Sequence, residues 1–182
     1  GFTPSQIEQF SNAYKAAYDV KDVGPEFIIL KGDDIKWGYL EDNYAEGKGT
    51  LANSCMRHSY CQNYFDIYTE NEDVCSLLVL KDSDNKVKGR ALLWVLENGD
   101  LYMDRIYTAN DSDKYLFNEW ADERNYRQYS NDHKVKRVEV GERSYDYYPY
   151  MDTFCAFDQD NRTLISSESS DYIVLQDTNG GY

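Results

Sequence analysis

Residues 86–108 read KVKGRALLWVLENGDLYMDRIYT. Two apolar runs, 87–96 and 101–107, flank Asn98-Gly99. An Asn-Gly pair between such runs signals a two-residue β-hairpin, because both central residues of its turn need positive φ. With that loop Glu97 faces Asp100, Trp94 opposes Met103, Leu92 opposes Arg105 and Arg90 opposes Tyr107. Side-chain alternation puts these last six on one face, and Ala91, Leu93, Val95, Tyr102, Asp104 and Ile106 on the other. Each face then carries a charge among apolar neighbours. Asp104 and Arg105 inside a strand require partners. Two outcomes satisfy them: an ion-pair network that fixes the sheet, or a polar pocket on the Arg90, Trp94, Arg105 and Tyr107 face.

Working outward, residues 74–80 form a preceding apolar strand, joined to the hairpin by the turn Asp82-Ser83-Asp84-Asn85. The acidic spacing of that turn is partly that of a calcium loop, without its glycine and distal Glu. Asp111 or Ser112 caps a helix over 112–124 bearing Tyr115, Leu116, Trp120 and Ala121. A strand at 135–140 follows, and the intervening helix permits one parallel pairing with 101–107 by a crossover. Further strands are expected at 151–157, 163–167 and 172–176. Upstream, Thr3-Pro4-Ser5-Gln6 is a capping box opening a helix with Ile7, Phe10, Tyr14 and Ala17 on one face. Glu26–Leu30 is a short strand. Gly32-Asp33-Asp34 caps a helix with Ile35, Tyr39 and Leu40. A glycine-bearing loop spans 45–52, and a third helix is expected over 53–69 with Tyr64, Phe65 and Tyr68 on one side. No repeat or linker divides the chain. The pattern predicts one α+β domain over 1–182, with a helical N-terminal part (1–70) and a sheet-rich part (71–182). Its sheet is mixed but mostly antiparallel and is flanked by helices.

A length of 182 residues suits one domain with a sizeable core. A composition of 41% hydrophobic and 29% charged residues is globular. The 18 tyrosines supply large apolar area with a polar tip, fit for half-wet cores and binding surfaces. The net charge of −14 repels phosphate backbones and favours a basic protein partner over nucleic acid. No run approaches the roughly 18 apolar residues that span a bilayer, so no membrane partner is expected. Four cysteines are few for a disulfide scaffold of this size, which points to a reducing, cytoplasmic setting.

Two clusters carry candidate chemistry. Cys55, His58, Cys61 and Cys75 have the residue types of a tetrahedral zinc site. On a regular helix, 55 and 58 are neighbours and so are 58 and 61, but 55 and 61 diverge by about 120°. Packing is therefore expected, without zinc. Cys55 or Cys61 beside His58 as a nucleophile lacks an orienting carboxylate. The second cluster joins Arg57 and His58 to Arg90, Trp94, Asp104, Arg105 and Tyr107. Gly47 and Gly49 let the preceding loop bend close to the sheet. Asn53 or Ser54 would cap the helix that begins there, leaving Arg57 near its positive end. An anionic ligand or partner carboxylate would then meet Arg57, Arg90 and Arg105 together. The competing expectation is that Asp104 and other carboxylates, such as Asp152, already neutralise them.

The block 74–126 resembles the central part of the GCN5-related N-acetyltransferase fold, where a hairpin leads through a loop into a helix. In that family a glycine-rich loop holds the pyrophosphate of coenzyme A through backbone N–H groups. The equivalent stretch here, Thr108-Ala109-Asn110-Asp111-Ser112-Asp113-Lys114, has no glycine, and Asp111 and Asp113 oppose phosphate. The resemblance therefore implies an acetyltransferase-like topology without the acetyl-CoA activity. The strings SCMRHSYCQNYFDIY (54–68), GRALLW (89–94), YMDRIYT (102–108) and YPYMDTF (148–154) resemble proteins of tailed bacteriophages. That resemblance implies a phage origin and a place in the host cell cytoplasm. Three functional expectations follow. The leading one is an interaction protein on a non-catalytic scaffold, binding a host or phage protein without a cofactor. The alternatives are an acyl-CoA-dependent N-acyltransferase with an atypical donor loop, and a protein binding a small anionic ligand or nucleotide through the Arg90 and Arg105 face.

Overall fold

The computed structural model describes residues 3–9, 26–130, 132–141 and 145–175. The protein is α+β, with mostly antiparallel sheets and few helices. Helix α1, described over residues 4–9, opens on the expected capping box: the Gln6 N–H donates to Thr3 Oγ1 (3.3 Å) and the Thr3 N–H to Gln6 Oε1 (2.9 Å). Phe10, Tyr14 and Ala17 lie outside the described residues. The chain continues through β1 (Glu26–Leu30), α2 (Ile35–Tyr39), α3 (Asp66–Thr69), β2 (Cys75–Lys81), β3 (Val87–Val95), β4 (Leu101–Met103) and β5 (Tyr107–Thr108). It ends with α4 (Lys114–Glu123), β6 (Arg127–Gln128), β7 (Arg137–Glu139), β8 (Ala156–Asp158), β9 (Thr163–Ile165) and β10 (Ile173–Val174). The first sheet runs β1-β2-β3-β4-β6, with β5 also on β3; the second runs β10-β8-β9-β7.

The helix expected over 53–69 does not form. Ser54 and His58 are extended (ψ 122° and 148°), and they cut the segment into short 3-10 turns, Thr50–Asn53, Cys55–Arg57 and Ser59–Tyr64, before α3. The parallel pairing expected between 101–107 and 135–140 does not form; β4 pairs in parallel with β6 instead, where Tyr102 faces Arg127. Asn125 (φ 59°) explains the early return. It ends α4 in a Schellman motif, the Tyr126 N–H reaching the Ala121 carbonyl (3.0 Å) and the Asn125 N–H that of Asp122 (3.4 Å). The 135–140 region is freed for the second sheet, where β7 pairs antiparallel with β9.

The first sheet is apolar on both faces. Leu78, Leu80, Ala91, Leu93 and Met103 pack under Phe117, Trp120 and Ala121 of α4, with Leu116 at the edge; of the expected helix face Tyr115 turns out to solvent, and Phe117 takes the buried place. Leu77, Val79, Leu92, Trp94 and Tyr102 face α2, the 3-10 turns and the inner side of the second sheet, including Phe154, Phe157 and Leu164. The glycine loop approaches closely, as expected. The Gly49 N–H donates to the Ala109 carbonyl (2.7 Å), and a Cβ on Gly49 would stand 2.2 Å from the Thr108 carbonyl oxygen. Both sides of that contact are backbone, so no rotamer change relieves a clash. Gly49→Ala is expected to cost roughly 1–3 kcal/mol through forced backbone shifts. The check is a lower urea midpoint at unchanged m-value.

Candidate functional site

The hairpin turn builds the site. Its loop has three residues, not two: the Leu96 N–H bonds to the Asp100 carbonyl, and the Gly99 N–H to that of Leu96 (both 2.8 Å). Gly99 at φ 87° supplies the left-handed residue that closes a three-residue loop. Trp94 therefore opposes Tyr102, and Leu93 opposes Met103, a one-residue correction to the expected register. Such a shift exchanges faces. It brings Tyr102 and Asp104 to the side of Arg90 and Trp94. The ladder continues to the Asp104 N–H, bonded to the Leu92 carbonyl (2.8 Å), and then breaks. Two steps along β3, from Leu92 to Arg90, match three on the returning chain, from Asp104 to Tyr107. This bulge returns Tyr107 to the expected place opposite Arg90. Asp104 and Tyr107 consequently share a face that a regular strand would deny one of them.

Arg90, Asp104, Arg105 and Tyr107 line one cavity of about 20 Å³, together with Tyr39, Ser54, Tyr68 and Asp152. The Arg90 side chain is buried. Its Nη2 donates to Ser54 Oγ (2.7 Å), and its guanidinium carbon lies 3.8 Å from the Tyr39 ring centre and 4.8 Å from that of Tyr107. Among the described residues it forms no ion pair, and its Nε has no hydrogen-bond partner. The buried Tyr68 hydroxyl, on the same cavity, also has none.

Asp104 is buried and held by three donors. Thr153 Oγ1 (2.7 Å) and the Arg105 N–H (2.8 Å) donate to Oδ1, and Trp94 Nε1 donates to Oδ2 (3.3 Å). Burial pushes its carboxyl up to about 6, against the pull of these donors and with help from the Asp152 charge. The Thr153 proton points to Asp104, so Tyr102 O–H donates to Thr153 Oγ1 (2.8 Å). Asp152 accepts from Tyr107 O–H (2.8 Å) and pairs with Arg105 (3.2 Å) at the mouth. Burial also raises the Tyr39, Tyr68 and Tyr107 phenols, the nearby Asp152 adding to the effect at each, so all three remain hydrogen-bond donors at neutral pH.

Trp94 supports the site from behind Asp104. Arg57 and His58 lie elsewhere, because both are held by Glu41, at 3.1 and 3.3 Å. Arg57 lines a separate groove with Glu41, Tyr44 and Gly47, so the three arginines do not converge. Arg105 meets Asp152, the partner the sequence offered. Tyr39, Tyr68 and Thr153 enter from distant segments. The Tyr150-Met151-Asp152-Thr153 string, polar residues set among aromatics, is the one local sign of the last.

Cys61 Sγ donates to the Cys55 carbonyl (3.4 Å), a contact made by the 3-10 turn and not by a helix face. All four cysteines are free, and burial raises the Cys55, Cys61 and Cys75 thiols, which disfavours the nucleophilic thiolate. Among the described residues no group of three or more His, Cys, Asp or Glu side chains is placed to hold a metal ion. Among them also, no helix is long and apolar enough to cross a membrane. No family model, curated protein or solved structure matches the chain.

The electrostatics of the site lead to measurable outcomes. The Asp104 carboxyl carbon should titrate in NMR at about pH 6. Thr153→Val, by removing a donor that lowers this value, should move the midpoint upward. Since the folded-state value lies above the unfolded one, the Asp104 contribution to stability is full below about pH 4 and lost as pH rises through about 6. Arg105 is half-exposed, so Arg105→Met should cost no more than about 1 kcal/mol in thermal denaturation.

Proposed function

We propose that this protein binds a small anionic ligand, with Arg90 as its anchor. The observation that carries this is a buried guanidinium that lines a cavity and has, among the described residues, no ion pair and an unpartnered Nε. Removing a charge from water costs several kcal/mol unless a counter-charge and hydrogen bonds compensate. Ser54, the Tyr44 hydroxyl and the two tyrosine rings offset part of that cost for Arg90. A ligand anion supplies the partner that the described residues withhold. The cavity is too small to enclose a whole nucleotide, so the anionic group enters and the rest of the ligand lies at the mouth.

The hairpin, loop and helix succession from β3 through α4 supports an acetyltransferase-like scaffold. The stretch Thr108–Lys114 does not fit the coenzyme A pyrophosphate. Asp111 and Asp113 occupy the first turn there, and the Thr108 and Ala109 N–H groups are already engaged by Thr50 Oγ1 and the Lys88 carbonyl. The scaffold is therefore proposed to serve binding and not acyl transfer. A second function, docking of a basic protein, is favoured by one surface. Segment 56–64 packs on 147–150 and presents Tyr60 and Tyr147, exposed to 63% and 57%, on a chain of net charge −14. Such docking would weaken with salt and be independent of Arg90.

Wild-type protein titrated with acetate, benzoate, phosphate and sulfate and followed by NMR should show saturable shifts at the cavity for at least one anion. Arg90→Gln, verified as folded by circular dichroism, should abolish them. Absence of binding by all four anions would refute the proposal.

A further inference from the structure

Given an anion-binding cavity at Arg90, we infer that its ligand is a monocarboxylic acid with a flat apolar body, and not a phosphate. Three observations converge. The first is space. A cavity of about 20 Å³ admits a group close to the size of one water molecule. A carboxylate offers a flat edge of two oxygens to such a slot. A tetrahedral phosphate is thicker in every direction and carries further oxygens that would need donors of their own.

The second is charge. Arg105 is already matched by Asp152, and Asp104 is already supplied with three donors. Arg90 is the cation among the lining residues left without a counter-ion. One negative charge balances it. The second charge of a phosphate monoester would face the Asp104 and Asp152 carboxylates at close range without compensation.

The third is the donor set and the walls. Arg90 Nε–H and the Tyr68 O–H, both on residues that line this cavity, are buried donors without acceptors. Two donors suit the two oxygens of one carboxylate, and the bond from the guanidinium is charge-assisted. The apolar share of the lining comes from Met56, Leu92, Met151 and the rings of Tyr107 and Tyr150, beside the charged and hydroxyl groups already named. Tyr150 is 43% exposed, so its ring stands free to cover a ligand body emerging there. An aryl or branched aliphatic body gains by contact with these side chains, and the polar groups at the mouth are already paired with one another.

Calorimetric titration with benzoate, acetate and inorganic phosphate, against wild type, Tyr68→Phe and Arg90→Gln, tests this. Benzoate should bind more tightly than acetate or phosphate by about tenfold or more. Tyr68→Phe should weaken benzoate several-fold, and Arg90→Gln should remove its binding. Tyr68→Phe carries the test if the Arg90 variant does not fold. Phosphate binding as tightly as benzoate would overturn the carboxylate class while leaving an anion-binding cavity in place. Acetate equal to benzoate would overturn the apolar body alone. Benzoate binding unchanged in Tyr68→Phe would place the ligand elsewhere and overturn the inference. Failure of all three anions would remove the cavity reading itself.

Discussion

Gly99, at a positive φ that other residues adopt only under strain, allows Leu96 to pair with Asp100 across a three-residue loop. That pairing sets which side chains of the returning strand enter the protein between the two sheets. With a two-residue loop, Asp104 would point toward α4, into a layer made mostly of Leu, Ala, Met and Phe side chains. With three, it reaches Trp94 Nε1 and Thr153 Oγ1, and a buried carboxylate becomes tolerable. The bulge after Asp104 is the counterpart of this choice. It lets the strand carry the carboxylate and Tyr107 inward while Arg105 turns to the mouth.

Around this frame the polar groups divide the work by depth. At the mouth, Arg105, Tyr107 and Asp152 neutralise one another where solvent still screens them. Deeper, Asp104 is held by neutral donors alone, and Arg90 by the Ser54 and Tyr44 hydroxyls and two aromatic faces. The interior thus holds a cation and an anion that each lean on dipoles more than on a direct ion pair. That arrangement keeps Arg90 available. A carboxylate in direct contact would satisfy it and close the site.

Much of the fold was legible in periodicity. The strands on both sides of Asp82–Asn85, the strand at Glu26–Leu30 and the helix carrying Trp120 follow from apolar patterns long enough to be unambiguous. The 53–69 segment was not, because its aromatic spacing fits a helix while Ser54 and His58 interrupt it through backbone conformations that composition does not announce. The register error has a simple origin. Asn-Gly serves both two- and three-residue loops, and the choice between them depends on which face the core accepts. Of the site, the residues on the hairpin were legible because charges in a strand stand out. Arg57 and His58 were misplaced with the helix that was to carry them, and Tyr68 was seen only as core, since a tyrosine buried for area and one buried for its hydroxyl look alike in sequence.

The bulge has a consequence for how this chain tolerates change. Between Asp104 and Tyr107 the spacing matters more than the identities, since Arg105 is half-exposed and Ile106 only packs at the edge of the α4 layer. Loss of one residue there would restore an unbroken strand and swing Tyr107 across the sheet toward Phe117, stripping Arg90 of one aromatic face and Asp152 of its phenol donor. Related chains that keep the cavity are thus expected to vary in letters at these two positions and to be invariant in length, so a gap in an alignment at this point marks a protein that has lost the site.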